Sequence, residues 1–481
     1  MTDRIDQPES PARPATLGEL RAAGYRSRSV KQELRANLLR ALAQGDAVFE
    51  GIVGYEQSVI PAIQNAVIAG QDIVLLGERG QAKTRLARAL GSLLDDAIPV
   101  VAASELHEDP LAPITAATRD LIATQGDRTP IDWLPRDRRY TEKLATPDIT
   151  IADLVGEVDP IKVAEGRYLA DESTIHFGLI PRANRGILAI NELPDLAERI
   201  QVGLLNLLEE RDVQVRGYTL RLPLDLMFVA TANPEDYTSR GRIITPLKDR
   251  LGSQIRTHYP RTLELEIEIM RQERSQLDAI DDPDASGVAY DEPDFMLELV
   301  AQLSHLARRA PEVSQRSGVS VRVSVANLET LAANALRRAV LLQETSAAPR
   351  VSDLGALIPS TVGKIELESL SDEVPEERIV DRLIARAIHE VFGRRVQMDT
   401  LTEVVEAFDS GLVIRTGEAV PSREYVRWMR ETPGLPAAVG RLGVGESPAA
   451  VASAVEFLLE GLHLHRKLNK DRAATGGLYR A

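Results

Sequence analysis

Asp72-Ile-Val-Leu-Leu-Gly-Glu-Arg-Gly-Gln-Ala-Lys-Thr84 decides the reading of this chain. Ile73 to Leu76 is a short apolar run with the length and β-branched content of a buried parallel strand. The turn from Gly77 to Ala82 follows, then Lys83-Thr84, after which Leu86, Leu90, Leu93 and Leu94 fall on one helical face. Strand, tight turn and helix in this order bring successive backbone N–H groups and a helix N-terminus together, which suits a polyphosphate. Gly77, Glu78, Arg79, Gly80, Gln81, Ala82, Lys83, Thr84 and Arg85 are the candidate nucleotide contacts. Lys83 is expected to reach the β- and γ-phosphates, and the Thr84 hydroxyl to ligate Mg²⁺. Ala82 stands where G-x-x-x-x-G-K-[ST] has its second glycine. A Cβ disfavours positive φ, so the loop is expected to bend differently, or Gly80 to supply the freedom. A strand–helix turn that binds nothing is the competing reading of this stretch alone.

Further segments fit the same chemistry. Gly186-Ile-Leu-Ala-Ile-Asn-Glu192 reads as a buried strand that delivers polar side chains at its C-terminal end, where open α/β sheets bind ligands. Glu192 suits a general base for the water attacking the γ-phosphate. Asn191 occupies a position usually held by a magnesium-binding Asp, so Thr84, Asn191 and Glu192 are the candidate metal residues. Met227-Phe-Val-Ala-Thr-Ala-Asn233 is another core strand, and the Asn233 amide could hold the attacking water. Pro246 to Gly252 carries Arg250, suited to the γ-phosphate of a neighbouring subunit. Arg322 begins a long helix, with Ser324 as a candidate N-cap, and could reach the γ-phosphate from a helical lid. Upstream, Gly51-Ile-Val-Gly-Tyr-Glu56 could contact adenine through Ile52, Val53 and Tyr55.

The chain has 481 residues, enough for several domains. With 57 Lys+Arg against 72 Asp+Glu its net charge is −15, which disfavours a general nucleic-acid or anionic-membrane binder. It has no cysteine, excluding disulfides and thiolate chemistry. No apolar run approaches the roughly 18 residues of a membrane span, and the polar N-terminus does not read as a secretory signal, so a cytoplasmic protein is the expectation.

Residues 1 to about 17 read as disordered, and Leu17 to Gln44 as a helical segment, either packed on the core or a solvated amphipathic helix. Ala97 to Ala102 reads as a second buried strand. Residues 103–150 read as loops with short helices, with Arg136-Asp-Arg-Arg139 as a solvated or interface patch. Val213 to Leu222 alternates around Arg216-Gly217 as a β-hairpin. Beyond Pro260 the pattern is nearly all helical, and Gly434 to Glu446 reads as a linker. The expected organisation is an N-terminal segment (1–48), an α/β nucleotide-binding core (49–260), an α-helical lid (261–370) and a helical C-terminal extension (371–481).

Taken together, these residues resemble the AAA+ ATPases and, within them, the magnesium-chelatase ATPase subunit, over roughly residues 50 to 365. The specific likeness lies in Asp153-Leu-Val-Gly-Glu-Val-Asp159, Gly178 to Leu188, Thr231-Ala-Asn-Pro-Glu235 and Leu247-Lys-Asp-Arg-Leu251. The resemblance implies a P-loop core with a parallel five-stranded sheet, a helix-2 insert and a pre-sensor-1 hairpin. It also implies ATP and Mg²⁺ as cofactors and a homo-oligomer, a hexameric ring with nucleotide at subunit junctions. By position, Lys83 and Thr84 match Walker A, Glu192 Walker B, Asn233 sensor 1, Arg250 the arginine finger and Arg322 sensor 2. The family works with a protein bearing a von Willebrand factor A domain. The leading expectation is an ATP-hydrolysing motor that remodels a partner. The alternatives are a MoxR-like chaperone without a tetrapyrrole, a nucleic-acid motor using Arg216 and Arg221, and a nucleotide-binding scaffold that does not turn over.

Overall fold

In a computed structural model the described residues are 13–159, 161, 174–209, 222–234, 243–274, 287–314, 318–366, 375–473 and 476–481. The expected disorder of the N-terminus and the hairpin at 213–222 fall wholly or mostly outside them, as does much of the helix-2 insert. The chain divides into two compact units: Met1–Gly77 with Ala82–Thr257, and Glu78–Gln81 with His258–Ala481.

The first unit is built on a sheet whose strands, named in chain order, include β1 (Ile73–Leu76), β4 (Tyr140–Leu144), β7 (Gly186–Asn191), β8 (Leu226–Ala232) and β9 (Ser253–Arg256). They lie in the order β4-β7-β8-β1-β9, every pairing parallel. Strands buried on both faces read as continuous apolar runs, and alternate side chains serve opposite faces. Ile73, Leu75, Met227 and Val229 pack on one side against Leu34 and Leu38 of the Val30–Gln44 helix and Ile63 and Val67 of the Val59–Ala69 helix. Val74, Leu76, Phe228 and Ile190 pack on the other against Ile200, Leu204 and Leu207 of the Glu198–Glu209 helix. Each such side chain contributes about 1.5–3 kcal/mol by leaving water.

The strand expected at Ala97 to Ala102 is present as β2 (Ala97–Val101), buried from Ile98 to Val101, and pairs antiparallel with β3 (Ile131–Pro135) outside the main sheet. Other expectations need correcting. The edge place goes to β4, inside the stretch read as loop, because an edge strand with the sequence Tyr-Thr-Glu-Lys-Leu shows no apolar run. The leading Val30–Gln44 helix is no solvated appendage. Its Glu33 meets Arg139 in a bidentate pair of 2.7 and 2.6 Å, with side chains 4% and 1% exposed. Arg139 is therefore not part of a solvated patch, while Arg136 pairs with Asp96. Arg139 also donates to the Arg185 carbonyl, and its own carbonyl comes so near Gly186 that a Cβ there would lie 2.2 Å away. That close approach requires glycine at the start of β7.

In the second unit one apolar cluster runs from Met270 to Tyr479. Its central element is the Pro448–Leu464 helix, buried at every position from Ala449 to Leu462; its two buried carboxylates, Glu456 and Glu460, accept hydrogen bonds from Tyr425 and Tyr479, as buried polar groups require. The stretch read as a linker contains the Leu435–Arg441 helix. Gly434 at φ 74° and Pro436 in the first turn are punctuation of that helix. The C-terminal part also holds an antiparallel sheet of β12 (Ile414–Thr416), β13 (Asn469–Ala473) and β14 (Gly476–Arg480), which the helical expectation missed. The long helix carrying Arg322 spans Val321–Leu341 and is capped by Ser320. Ser324, the expected cap, lies buried inside it and donates to Glu266 at 2.5 Å.

Candidate nucleotide site

The C-terminal ends of β1, β7 and β8 lie side by side. Chain reversal after each strand puts the following residues at one sheet edge. Lys83 is 7% exposed and begins the Lys83–Ala89 helix. Its ammonium donates to the Gly77 carbonyl at 2.5 Å and to Asn233 Oδ1 at 2.7 Å. The Asn233 amide then donates to Glu192 Oε2 at 2.9 Å. Cation, amide and carboxylate thus form one chain across three segments, with Lys83 and Asn233 separated by 150 positions in sequence.

A second chain runs beside it. Thr84 Oγ1 lies 3.4 Å from Asn191 Oδ1, and Thr231 Oγ1 donates to the same oxygen at 3.2 Å. The Asn191 amide nitrogen donates to Glu142 Oε1 at 2.7 Å. Glu142 in turn accepts from Arg88 through both carboxylate oxygens, at 2.7 and 2.9 Å. The Arg88 hydrogen bonds hold the Glu142 carboxyl below the usual carboxylate range, against a smaller opposing effect of burial. Thr231 and Glu142 were not singled out from the sequence. Thr231 stands on β8 two residues before Asn233, which could have flagged it, whereas Glu142 required β4 to be recognised as a strand.

Two backbone conformations at this edge are strained. Ala82 has φ 54° and ψ 19°, and Glu192 has φ 54° and ψ 47°. Non-glycine residues in the left-handed region cost of order 1–3 kcal/mol each and cluster at functional sites. Gly80 supplies part of the freedom, at φ 75°, as expected, but Ala82 takes positive φ as well. The Glu192 backbone N–H is tied to Thr231 Oγ1 at 3.1 Å.

The donors suit a hard divalent cation, being a hydroxyl, an amide oxygen and a carboxylate from Thr84, Asn191 and Glu192. Magnesium is characteristically held by one or two such groups plus phosphate and water. Among the described residues no group of three His, Cys, Asp or Glu is arranged to hold a metal by itself.

The other candidates have described surroundings of their own. Gln81 is buried and its Oε1 accepts from the Glu78 N–H at 3.2 Å, while Arg85 is exposed. Within the second unit, the Arg79 carbonyl accepts from Tyr259 at 3.0 Å, and a Cβ on Gly80 would lie 1.9 Å from Ser320 Oγ. Tyr55 is buried in the core and Val53 is half-buried. Arg250 ends the Thr245–Arg250 helix and donates to the Pro246 carbonyl at 3.0 Å. Arg322 is exposed in the first turn of its helix in the second unit. The hairpin arginines 216 and 221 are outside the described residues.

A parallel sheet of this order, with a lysine–threonine loop after β1 and an Asn191–Glu192 pair at the end of β7, is the arrangement that the AAA+ resemblance implies. Residues 163–253 match the model of the Sigma-54 interaction domain. The chain is similar to magnesium-chelatase subunit ChlI of Nostoc sp., 29% identical over 238 residues, covering 48% of this chain and 59% of the relative. It is also 29% identical over 250 residues to the magnesium-chelatase 38 kDa subunit of Rhodobacter capsulatus, covering 49% of this chain and 62% of that one. The chain thus spans about six tenths of the length of these curated relatives. A solved complex between subunits BchI and BchD of magnesium chelatase aligns with 67% of this chain and 96% of that one, at 22% identity and a TM-score of 0.35. The expected similarity to magnesium-chelatase subunits and the expected parallel five-stranded core are both found. Among the described residues no helix is long and apolar enough to cross a membrane.

Proposed function

We propose that this chain binds ATP with Mg²⁺, hydrolyses it, and uses the cycle to remodel a partner protein. The observation that carries the reading is the Lys83–Asn233–Glu192 chain of hydrogen bonds, which sets a cation, a water-positioning amide and a carboxylate base at one sheet edge. In this reading Lys83 releases Gly77 and Asn233 to bind the β- and γ-phosphates. Asn233 and Glu192 then hold and deprotonate the attacking water. Thr84 and Asn191 serve the cation, which supplies charge neutralisation on the phosphates when bound. Glu78 to Ala82 and Arg85 line the phosphate loop, and Val53 and Tyr55 flank the base. Arg250 acts on a neighbour's nucleotide and Arg322 from the lid, in a homo-oligomeric, hexameric ring. The four-part organisation at 48, 260 and 370 belongs to the same proposal.

Similarity to chelatase subunits supports a partner with a von Willebrand factor A domain and a cytoplasmic setting. A MoxR-like chaperone role fits the same site, because the client is not read by these residues. The test is ATP turnover and nucleotide binding by wild type and Glu192→Gln. The variant is expected to bind ATP and to lose about 10²–10⁴-fold in rate, the range of general-base catalysis. Turnover at the wild-type rate would remove Glu192 from the mechanism.

A further inference from the structure

An asparagine where a magnesium site ordinarily has a carboxylate poses a specific problem. A carboxylate presents an acceptor whichever way it turns, but an amide presents an oxygen one way and an N–H₂ donor the other. A donor turned toward the cation would repel it. The remedy lies on the neighbouring edge strand. Glu142 lies two residues before Leu144, the cross-strand partner of Asn191, and its Oε1 accepts from Asn191 Nδ2 at 2.7 Å. An ionised carboxylate only accepts, so it can be satisfied only by the N–H₂ end. The oxygen end is thereby left facing Thr84 at 3.4 Å and Thr231 at 3.2 Å. Arg88, on the phosphate-loop helix itself, holds Glu142 through both carboxylate oxygens.

The Arg88–Glu142 pair is not built chiefly for stability. The Arg88 side chain is 64% exposed, and exposed ion pairs contribute little, about 0–1 kcal/mol. Its geometry instead fixes which atom of Asn191 looks toward Thr84. We infer that Glu142 is a positioning residue for the cation: held by Arg88, it locks the Asn191 amide with its oxygen toward Thr84, so that asparagine does the work of the missing aspartate. This rests on the Mg·ATP reading of the site and deepens it.

The inference makes an unusual demand on the substitution that restores the usual residue. With Glu142 in place, Asn191→Asp sets two carboxylates in contact where a hydrogen bond stood, and like charges so placed resist joint ionisation. Restoring aspartate alone should therefore not improve cation binding, whereas the same change in a Glu142→Gln background should.

The test uses the full chain and reads binding rather than turnover. Mn²⁺ binding in the presence of a non-hydrolysable ATP analogue is followed by electron paramagnetic resonance, and analogue affinity is measured in Mg²⁺ and in EDTA. Glu142→Ala is expected to weaken Mn²⁺ binding about 10-fold, the lower end for loss of a group that orients a metal ligand, with affinity in EDTA unchanged. Glu142→Gln, which keeps the volume and an acceptor oxygen, should lose less, and it preserves the test if the alanine variant does not fold. Asn191→Asp should bind Mn²⁺ no better than wild type, and Glu142→Gln/Asn191→Asp about 10-fold better than Asn191→Asp. Wild-type Mn²⁺ affinity in Glu142→Ala, or a gain from Asn191→Asp alone, would overturn the inference and leave the ATP reading standing. Equal analogue affinity of wild type in Mg²⁺ and in EDTA would overturn the ATP·Mg reading and the inference with it.

Discussion

Replacing Glu33 by alanine should cost more stability than any surface change in the first unit, and the reason is geometric. Glu33 and Arg139 are 4% and 1% exposed, joined by hydrogen bonds of 2.7 and 2.6 Å. Glu33 also accepts from the Asp95 N–H at 2.6 Å. Truncation leaves the Arg139 guanidinium buried with only the Arg185 carbonyl as a described partner. Breaking a buried pair from one side costs about 3–5 kcal/mol, a large part of the roughly 5–15 kcal/mol that holds a typical domain together. With a urea slope near 3 kcal/mol/M, the unfolding midpoint should fall by more than about 1 M. The chain has two tryptophans. Trp133 lies on β3 in the first unit and Trp428 in the second, so fluorescence in a Trp428→Phe background reports on the first unit. Glu33→Met/Arg139→Leu should recover most of the loss, because apolar side chains of similar size replace a buried pair without a stranded charge. A midpoint shift under about 0.3 M for Glu33→Ala would refute the argument. So would a double variant as unstable as the single one. Because Arg139 directly precedes β4, the same substitution should also weaken Mn²⁺ binding through Glu142.

Arg250→Ala should abolish ATP turnover alone, and mixing it with Lys83→Ala should restore part of it if Arg250 serves a neighbour; a mixture as inactive as its components would exclude action in trans. Ala82→Gly relieves a left-handed alanine and should raise stability by about 0.5–1 kcal/mol, seen as a higher urea midpoint; a lower midpoint would contradict the strain reading. Burial alone would raise the Glu266 carboxyl, but the His305 ring 3.3 Å away and hydrogen bonds from Arg308 and Ser324 outweigh it and bring it down to about 2. The folded pKa lies below the unfolded one, so this stabilisation is complete above about pH 4.5 and drains away toward pH 2. Glu266→Gln should therefore be destabilised against wild type by about 3 kcal/mol at pH 7 and much less near pH 3, by denaturant titration at both pH values. An equal difference at both would refute it.

The phosphate loop and the three strands around it were legible because each is local. Four apolar residues ending in a polar one, as in Ile187 to Asn191 or Met227 to Thr231, announce a central parallel strand. So the parallel core, the meeting of Lys83 with Asn233 and Glu192, and the mainly helical character beyond Pro260 could be read in one dimension. Edge and cap features were not legible. The Tyr140–Leu144 strand has one neighbour and one solvent face, so nothing in its composition marks it as a strand, and Glu142 was hidden with it. Ser320 rather than Ser324 caps its helix because tertiary packing draws the Ser324 hydroxyl to Glu266. Glycine and proline at 434 and 436 look alike whether they open a helix or a linker, and only burial of Leu435 and Val439 separates the two. Sequence alone determined which side chains have the chemistry to bind a triphosphate. Only the folded chain decided which way the Asn191 amide points, because that choice is made by a hydrogen bond from a strand 49 residues away, and long-range contacts leave no periodic trace.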